Sequence, residues 1–304
     1  MCCRWAGVMV LSILFFSCTN YEQDKKNWPD TWNSGTIHIS ADESFKPVID
    51  AQVQVYESNV PGTKIIVQYK PEADCLRDLA NDSIRMIIAT RGVTVNEENF
   101  MIDSMGVEPR QRVVARDAIA VIVNPLSSDS MFTMQEIREV LTGRYTKKLI
   151  PVFDGAKATS TVRFIVDSVL KQEVLSPNAV AAKTSEEVID YVAKNRDAIG
   201  FIGVNWIGNK EDTTQTAFLQ KVKIAYLEST IKPGGYVLPW QVNISAKIYP
   251  MVRDLVYILK ENHKGLGTGF SDFLSDDKGQ LVFKRAYLSP AIRSFVVREA
   301  ELRK

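Results

Sequence analysis

The chain has 304 residues, 45% of them hydrophobic, and its 37 Lys and Arg nearly balance 36 Asp and Glu. That balance gives no general reason to bind nucleic acid or an anionic membrane surface, so any anion specificity must be local. The length supports a large core and favours two domains over one, while His38 and His263, the only histidines, lack the partner spacing of a metal site.

The N-terminus reads MCCRWAGVMVLSILFFSC, with Arg4 ahead of an apolar run from Trp5 to Phe16. The run is shorter than the roughly twenty residues a membrane span needs and reads as a secretory signal. A small residue followed by Cys18 directly after it resembles a bacterial lipoprotein cleavage site. We therefore expect a signal peptide over residues 1–17, lipidation of Cys18 and a polar tether over 18–34. The mature chain would be held to a membrane by its lipid alone, without spanning it. With the signal removed, Cys75 is the remaining thiol of the body, which excludes an intrachain disulfide there and a Cys-rich metal site.

In chain order, Thr36–Ser40 reads as a strand, and Phe45, Val48, Ile49, Gln52, Val53 and Tyr56 form one face of a helix with Ser44 as its N-cap. Thr63–Lys70 is a strand, EADCLRDLAND a helix and Arg85–Arg91 a strand, an alternation that implies a parallel sheet flanked by helices. After a helix near Glu97–Ser104, RVVARDAIAVIVNP is extended and long enough to pass from one sheet into another. A second alternation follows. Thr133 and Glu136 form a capping box, and Gly143 ends that helix. LIPVF is a strand; Val162, Ile165, Val166, Val169 and Leu170 mark a helix; AVAAK is a strand; a second capping box joins Thr184 and Glu187; AIGFIGV and KVKIAYLES are strands. Tyr249-Pro250 opens a predicted helix through Lys260, and two more helices precede Pro290. The fold class is α/β with two lobes, each a mainly parallel sheet flanked by helices, joined by extended crossovers. Lobe I takes residues 35–116 and 228–304, and lobe II residues 117–227.

In open α/β sheets ligands bind beyond the carboxyl ends of the strands. Three strand-to-helix turns converge there: SADES, ATRGVT and FDGAKATST. Thr159, Ser160 and Thr161 stand where a helix N-terminus leaves backbone N–H groups without partners. One hydroxyl suffices as a cap, and the others are candidates for an oxyanion. Ser44 and Thr90 add hydroxyls, and the guanidinium fork of Arg91 would grip two oxygens. Asp42, Glu43 or Asp154 would accept the proton that phosphate retains near neutral pH and sulfate lacks, and would repel sulfate. Arg163 reads as a helix-surface pair with Asp167, one turn from the cleft edge. No Ser-His-Asp arrangement, nucleophile elbow or P-loop is present, so we expect a binding protein with no catalytic residues, metal or cofactor.

The ordered segments TIHISADESFKP, MIIATRGVT, DAIAVIVNP, FTMQEIREVLTGR, DAIGFIG, IYPMVRDLVYIL and GFSDFLSDDKGQLVFKRAYLSP resemble the phosphate-binding component of bacterial phosphate ABC transporters, over roughly Gly35 to Pro290. The resemblance implies a two-lobed periplasmic binding protein on the extracytoplasmic side of the cell envelope. It would act as a monomer, capture an inorganic oxyanion, most simply phosphate, and deliver it to an ABC permease. A surface-anchored sensor or interaction protein on the same scaffold is the other reading. The family's Ser-Gly-Thr phosphate loop falls on Thr159, Ser160 and Thr161. Two departures bear on the site: Val152-Phe153 stand where the family places an Arg, and Thr90-Arg91 where it often has Ser-Asp. Together they suggest a cation moved from one loop to another.

Overall fold

The computed structural model describes residues 29–155, 159–171 and 173–292. The predicted signal, Cys18 and most of the tether lie outside the described residues. The first lobe starts with β1 (Gly35–Asp42), α1 (Lys46–Asn59), β2 (Thr63–Lys70), α2 (Glu72–Arg77), β3 (Ile84–Ala89) and α3 (Val95–Met105), and β4 (Arg110–Val123) leaves it. The second lobe holds β5 (Met131–Phe132), α4 (Met134–Thr142), β6 (Ile150–Asp154), α5 (Ser160–Phe164), β7 (Val180–Ala182), α6 (Ser185–Lys194), β8 (Ala198–Gly203) and α7 (Thr213–Lys221). Then come β9 (Lys223–Ile224), β10 (Tyr226–Glu228), β11 (Tyr236–Val237) and α8 (Gln241–Ser245). The chain returns through β12 (Val252–Leu259), α9 (Leu266–Ser275), α10 (Asp277–Arg285) and β13 (Ser289–Pro290).

The principal strands run in the order β2-β1-β3-β12-β4-β8-β6-β7. β1 is parallel to β2 and β3, and β6 is parallel to β7 and β8, as the strand–helix alternation requires. Between these parallel groups lie two antiparallel connectors. β4 pairs with β12 through its first part and with β8 from Ile119 to Val123, so one long strand belongs to both lobes. It is the crossover expected from its length and apolar character.

Each lobe has its own core. Ile37, Ile39, Phe45, Ile49, Leu255 and Phe270 belong to the first. Phe132, Ile137, Phe153, Ile165 and Phe201 belong to the second. The segment after β10, assigned to lobe I from the sequence, packs Ile244, Tyr249 and Met251 into the second core instead, and the first core resumes at Leu255.

Two elements differ from expectation. Val252–Leu259 is a strand, not a helix, and lies between β3 and β4 with most of its residues buried. A central strand covered on both faces reads as a continuous apolar run, which periodicity alone does not separate from a buried helix. The helix after Thr161 is α-helical only to Phe164 and winds as a π-helix over Ile165–Leu170. The wider winding keeps Ile165, Val169 and Leu170 buried but turns Val166 outward. No helix of the described residues is long and apolar enough to cross a membrane.

Candidate functional site

β1 ends at Asp42, and Glu43–Phe45 follows as one 3-10 turn. The Asp42 Oδ1 accepts the Ser44 N–H at 3.0 Å, so Asp42 caps this turn. Ser44 therefore does not cap α1, which begins after Phe45 with a proline in its first turn and no side-chain cap. Its hydroxyl instead crosses to the second lobe and donates to Asp154 Oδ2 at 3.1 Å, where Ser185 Oγ also donates at 3.0 Å. The Ser44 carbonyl accepts from Asn205 Nδ2 at 3.0 Å and Trp206 Nε1 at 2.9 Å. Three side chains of the second lobe, Asp154, Asn205 and Trp206, thus hold one turn of the first, and Ser185 holds Asp154 in place.

The turn after β6 needs Gly155, whose φ of +79° favours glycine and where a Cβ would lie 2.5 Å from Thr159 Cγ2. Beyond it the three hydroxyls divide their roles. Thr159 is the N-cap of α5, accepting from Val162 N–H at 3.2 Å. Ser160 Oγ and Thr161 Oγ1 accept from one nitrogen, Arg253 Nη1, at 2.8 and 3.3 Å. Ser160 Oγ also lies 3.5 Å from Ser44 Oγ.

Arg253 comes from β12, where its register partner on β4 is Asp117. Its Nε donates to Asp117 Oδ2 at 2.9 Å, and Nη2 lies 2.8 Å from the same oxygen as an ion pair. The Phe45 ring covers the guanidinium at 4.8 Å from its centroid, a cation–π contact that replaces water on that face. Gly203 of β8 makes room for the pair, since a Cβ there would stand 3.3 Å from both Arg253 Nη2 and Asp117 Oδ2.

Asp42, Ser44, Asp117, Asp154, Ser160, Thr161 and Asn205 are fully buried, and Arg253 nearly so. Among the described residues, buried side-chain atoms without a hydrogen-bond partner include Asp42 Oδ2, Asp117 Oδ1, Asp154 Oδ1, Asn205 Oδ1 and Arg253 Nη2. Buried polar groups are ordinarily paired. Here a guanidinium and several acceptor oxygens are buried in one cluster, a set suited to a small group that both accepts and donates hydrogen bonds.

The electrostatics agree. Burial pushes the Asp42 carboxyl up to about 6, although Arg253 pulls it down. Burial also raises Asp117 and Asp154 against the pull of Arg253. Glu43, half-buried beside them, is pushed up to about 7 by burial and then by the charges of Asp154 and Asp42. One buried cation, Arg253, faces the carboxyl groups of Asp42, Asp117 and Asp154, and burial favours the neutral form of each against its pull.

The structure therefore brings Asp42, Ser44, Asp154, Ser160 and Thr161 together, with Glu43 at the edge and Thr159 as the cap. It directs Thr90 and Arg91 elsewhere. Thr90 donates through N–H and Oγ1 to Glu72 at 2.7 and 2.6 Å, and Arg91 makes a two-pronged pair with Glu97 at 2.7 and 2.8 Å. Arg91 is not the cation that binds Ser160 and Thr161; Arg253 is. Sequence reasoning missed Arg253 because it read that segment as a helix. The β-branched and aromatic run after Pro250 was the signal for a strand. Asp117, Phe45, Asn205, Trp206 and Ser185 were missed as well, because their roles depend on pairings distant in sequence.

His263 has neighbours that its spacing did not reveal. It lies with Asp30 and Glu261, whose carboxylates accept from Arg85, from the first N–H groups of α9 and from Thr268. These acids anchor Arg85 and the helix start.

A family model for a PBP superfamily domain matches residues 29–278. The phosphate-binding protein PstS of Pseudomonas aeruginosa is 21% identical over 280 residues, covering 84% of this chain and 83% of that protein. A substrate-binding protein of a phosphate ABC transporter from Clostridium perfringens, solved with bound phosphate, has a TM-score of 0.69 at 19% identity, over 84% of this chain and all of that one. An ABC-type phosphate transport receptor from Vibrio cholerae gives 0.63 at 19% identity, over 83% and 99% of the two chains. Likeness at these identities establishes the fold.

Proposed function

The chain belongs to the PBP superfamily, and on that premise we propose that it captures inorganic phosphate in the cleft between its lobes and hands it to an ABC-type permease. It acts as a monomeric solute-binding protein rather than an enzyme, on the extracytoplasmic side of the cell envelope, tethered through a lipid on Cys18. The phosphate-binding roles named for the P. aeruginosa, C. perfringens and V. cholerae proteins support the choice of ligand.

The observation that carries the reading is the meeting of Arg253 Nη1 with Ser160 and Thr161, in a buried cluster where one carboxyl oxygen each of Asp42 and Asp154 lacks a hydrogen-bond partner. An oxyanion takes charge-assisted hydrogen bonds from the guanidinium and the two hydroxyls, which turn their O–H toward it. Asp42 or Asp154 then accepts from the phosphate hydroxyl. Sulfate, without that proton, meets an acceptor with an acceptor. Ser44 links the lobes through Asp154, so its turn moves against the second lobe as the cleft closes and excludes water. Binding involves no bond making in the ligand.

Thermal unfolding of the chain lacking residues 1–18 tests this assignment. A ligand that binds the folded form alone raises the midpoint with its concentration. Phosphate is expected to do so and sulfate at equal ionic strength is not; the absence of a phosphate response would remove the assignment.

A further inference from the structure

The anion cluster is not the only polar bridge between the lobes. Glu72 is the first residue of α2 and belongs to the first lobe, yet its carboxylate accepts from Arg163 Nε of α5 at 2.5 Å. Arg163 Nη2 lies 3.4 Å from the other carboxylate oxygen and donates to Thr90 Oγ1 at 2.6 Å. Thr90 in turn donates to Glu72, so carboxylate, hydroxyl and guanidinium form a closed ring of charge-assisted bonds. The Glu72 side chain is 1% exposed and that of Arg163 34%. Arg163 also approaches Asp167 at 3.5 Å, the helix-surface pair expected from spacing, but that contact is longer and Asp167 is more exposed.

The placement gives this ring a role. Arg163 follows Ser160 and Thr161 on the same short helix, so whatever fixes Arg163 fixes the two hydroxyls that meet Arg253. Arg163 and Glu72 also border a surface cavity of about 440 Å³. The ring therefore stands between solvent and the buried cluster, with one partner on each lobe. Burial pushes Glu72 upward, but the hydrogen bonds of Arg163 and Thr90 outweigh it and keep the carboxyl below its usual range. A buried carboxylate held this way is strongly destabilised if its cation swings away, so separation of the lobes here carries a definite cost.

We infer that Glu72 is a positioning residue that latches the closed cleft through Arg163 and thereby sets the rate at which a captured anion escapes. It touches no ligand. It acts by holding α5 against the first lobe. The ligand arm rests on the phosphate reading above, whereas the closure arm does not.

The test uses the chain lacking residues 1–18 with Glu72→Gln, Arg163→Met and the two combined. Stopped-flow release of phosphate and solution scattering of the anion-free protein are measured for each. Each single variant is expected to release phosphate on the order of tenfold faster and to show a larger radius of gyration without anion. The double variant should be no worse than either single one, because both remove the same bridge. Parental release rates and radii in both single variants, or effects that add in the double variant, would overturn the latch. If the parent binds no phosphate, the phosphate reading fails while the scattering comparison still decides the latch.

Discussion

Arg253 and Asp117 face each other as register partners on two antiparallel strands, one of which passes through both lobes. Nε and Nη2 of the arginine lie 2.9 and 2.8 Å from a single carboxylate oxygen, leaving Nη1 to meet Ser160 and Thr161. The pair places a cation at the seam of the molecule with its orientation set before any anion arrives.

Removing that cation should abolish capture. Hydrogen bonds to charged groups contribute about 1.5–3 kcal/mol each, so Arg253→Met should weaken phosphate binding by a hundredfold or more. It also strands Asp117 in a buried site, which should cost stability in the range of about 3–5 kcal/mol. Arg253→Lys keeps the charge but not the fork and should fall between. Titration calorimetry and chemical denaturation of both variants separate the two effects.

The three hydroxyls of α5 should separate by role. Thr159→Ala removes a cap and should cost about 1 kcal/mol of stability with little change in phosphate affinity. Thr161→Val and Ser160→Ala should do the reverse, losing about tenfold in affinity each while unfolding near the parental midpoint. Equal loss of affinity in all three would contradict the division.

Stability without ligand should fall as pH rises through the acid range. The folded-state values of Asp42, about 6, and Glu43, about 7, lie above those of the unfolded chain, near 4. Between about pH 4 and 7 these two carboxyls thus bind more protons in the native state than in the unfolded state, so their contribution to the unfolding free energy declines as pH increases. Asp42 alone accounts for up to about 3 kcal/mol over that window. Denaturant titrations from pH 4 to 8 should show the decline and Asp42→Asn should flatten it; a rise in stability over the window would contradict the assignment.

Gly203→Ala should disturb the Arg253–Asp117 pair without touching a charge. Its Cβ would stand 2.6 Å from Asn205 Nδ2 and 3.3 Å from the ion pair. We expect about 1–3 kcal/mol of destabilisation and weaker phosphate binding, checked by denaturation and calorimetry.

The alternation of strand and helix up to β4 and through the second lobe was legible from the sequence, because the helices carry apolar stripes, several with a side-chain cap, and the strands apolar runs. That Asp42, Ser44, Asp154, Ser160 and Thr161 would come together was legible from their places at or just after the carboxyl ends of β1 and β6. Arg253 was not. Its strand is buried on both sides, so its pattern resembles that of a buried helix, and its partners lie 92 and 136 residues away in the chain. Arg91 looked like the cation from its strand-end position, but Glu97, the N3 residue of the Thr94 capping box, holds it. The Glu72–Arg163 bridge was hidden likewise, since Asp167 offered Arg163 a partner at helical spacing.

The central claim is that Arg253, with Ser160 and Thr161, receives a protonated oxyanion beside Asp42 and Asp154. Isothermal titration of the chain lacking residues 1–18 with phosphate and with sulfate at neutral pH, alongside Arg253→Met, tests it most directly. The account predicts one phosphate bound per chain, no sulfate heat, and loss of the phosphate heat in the variant. Phosphate binding that survives Arg253→Met in folded protein, or sulfate binding as tight as phosphate, would contradict it.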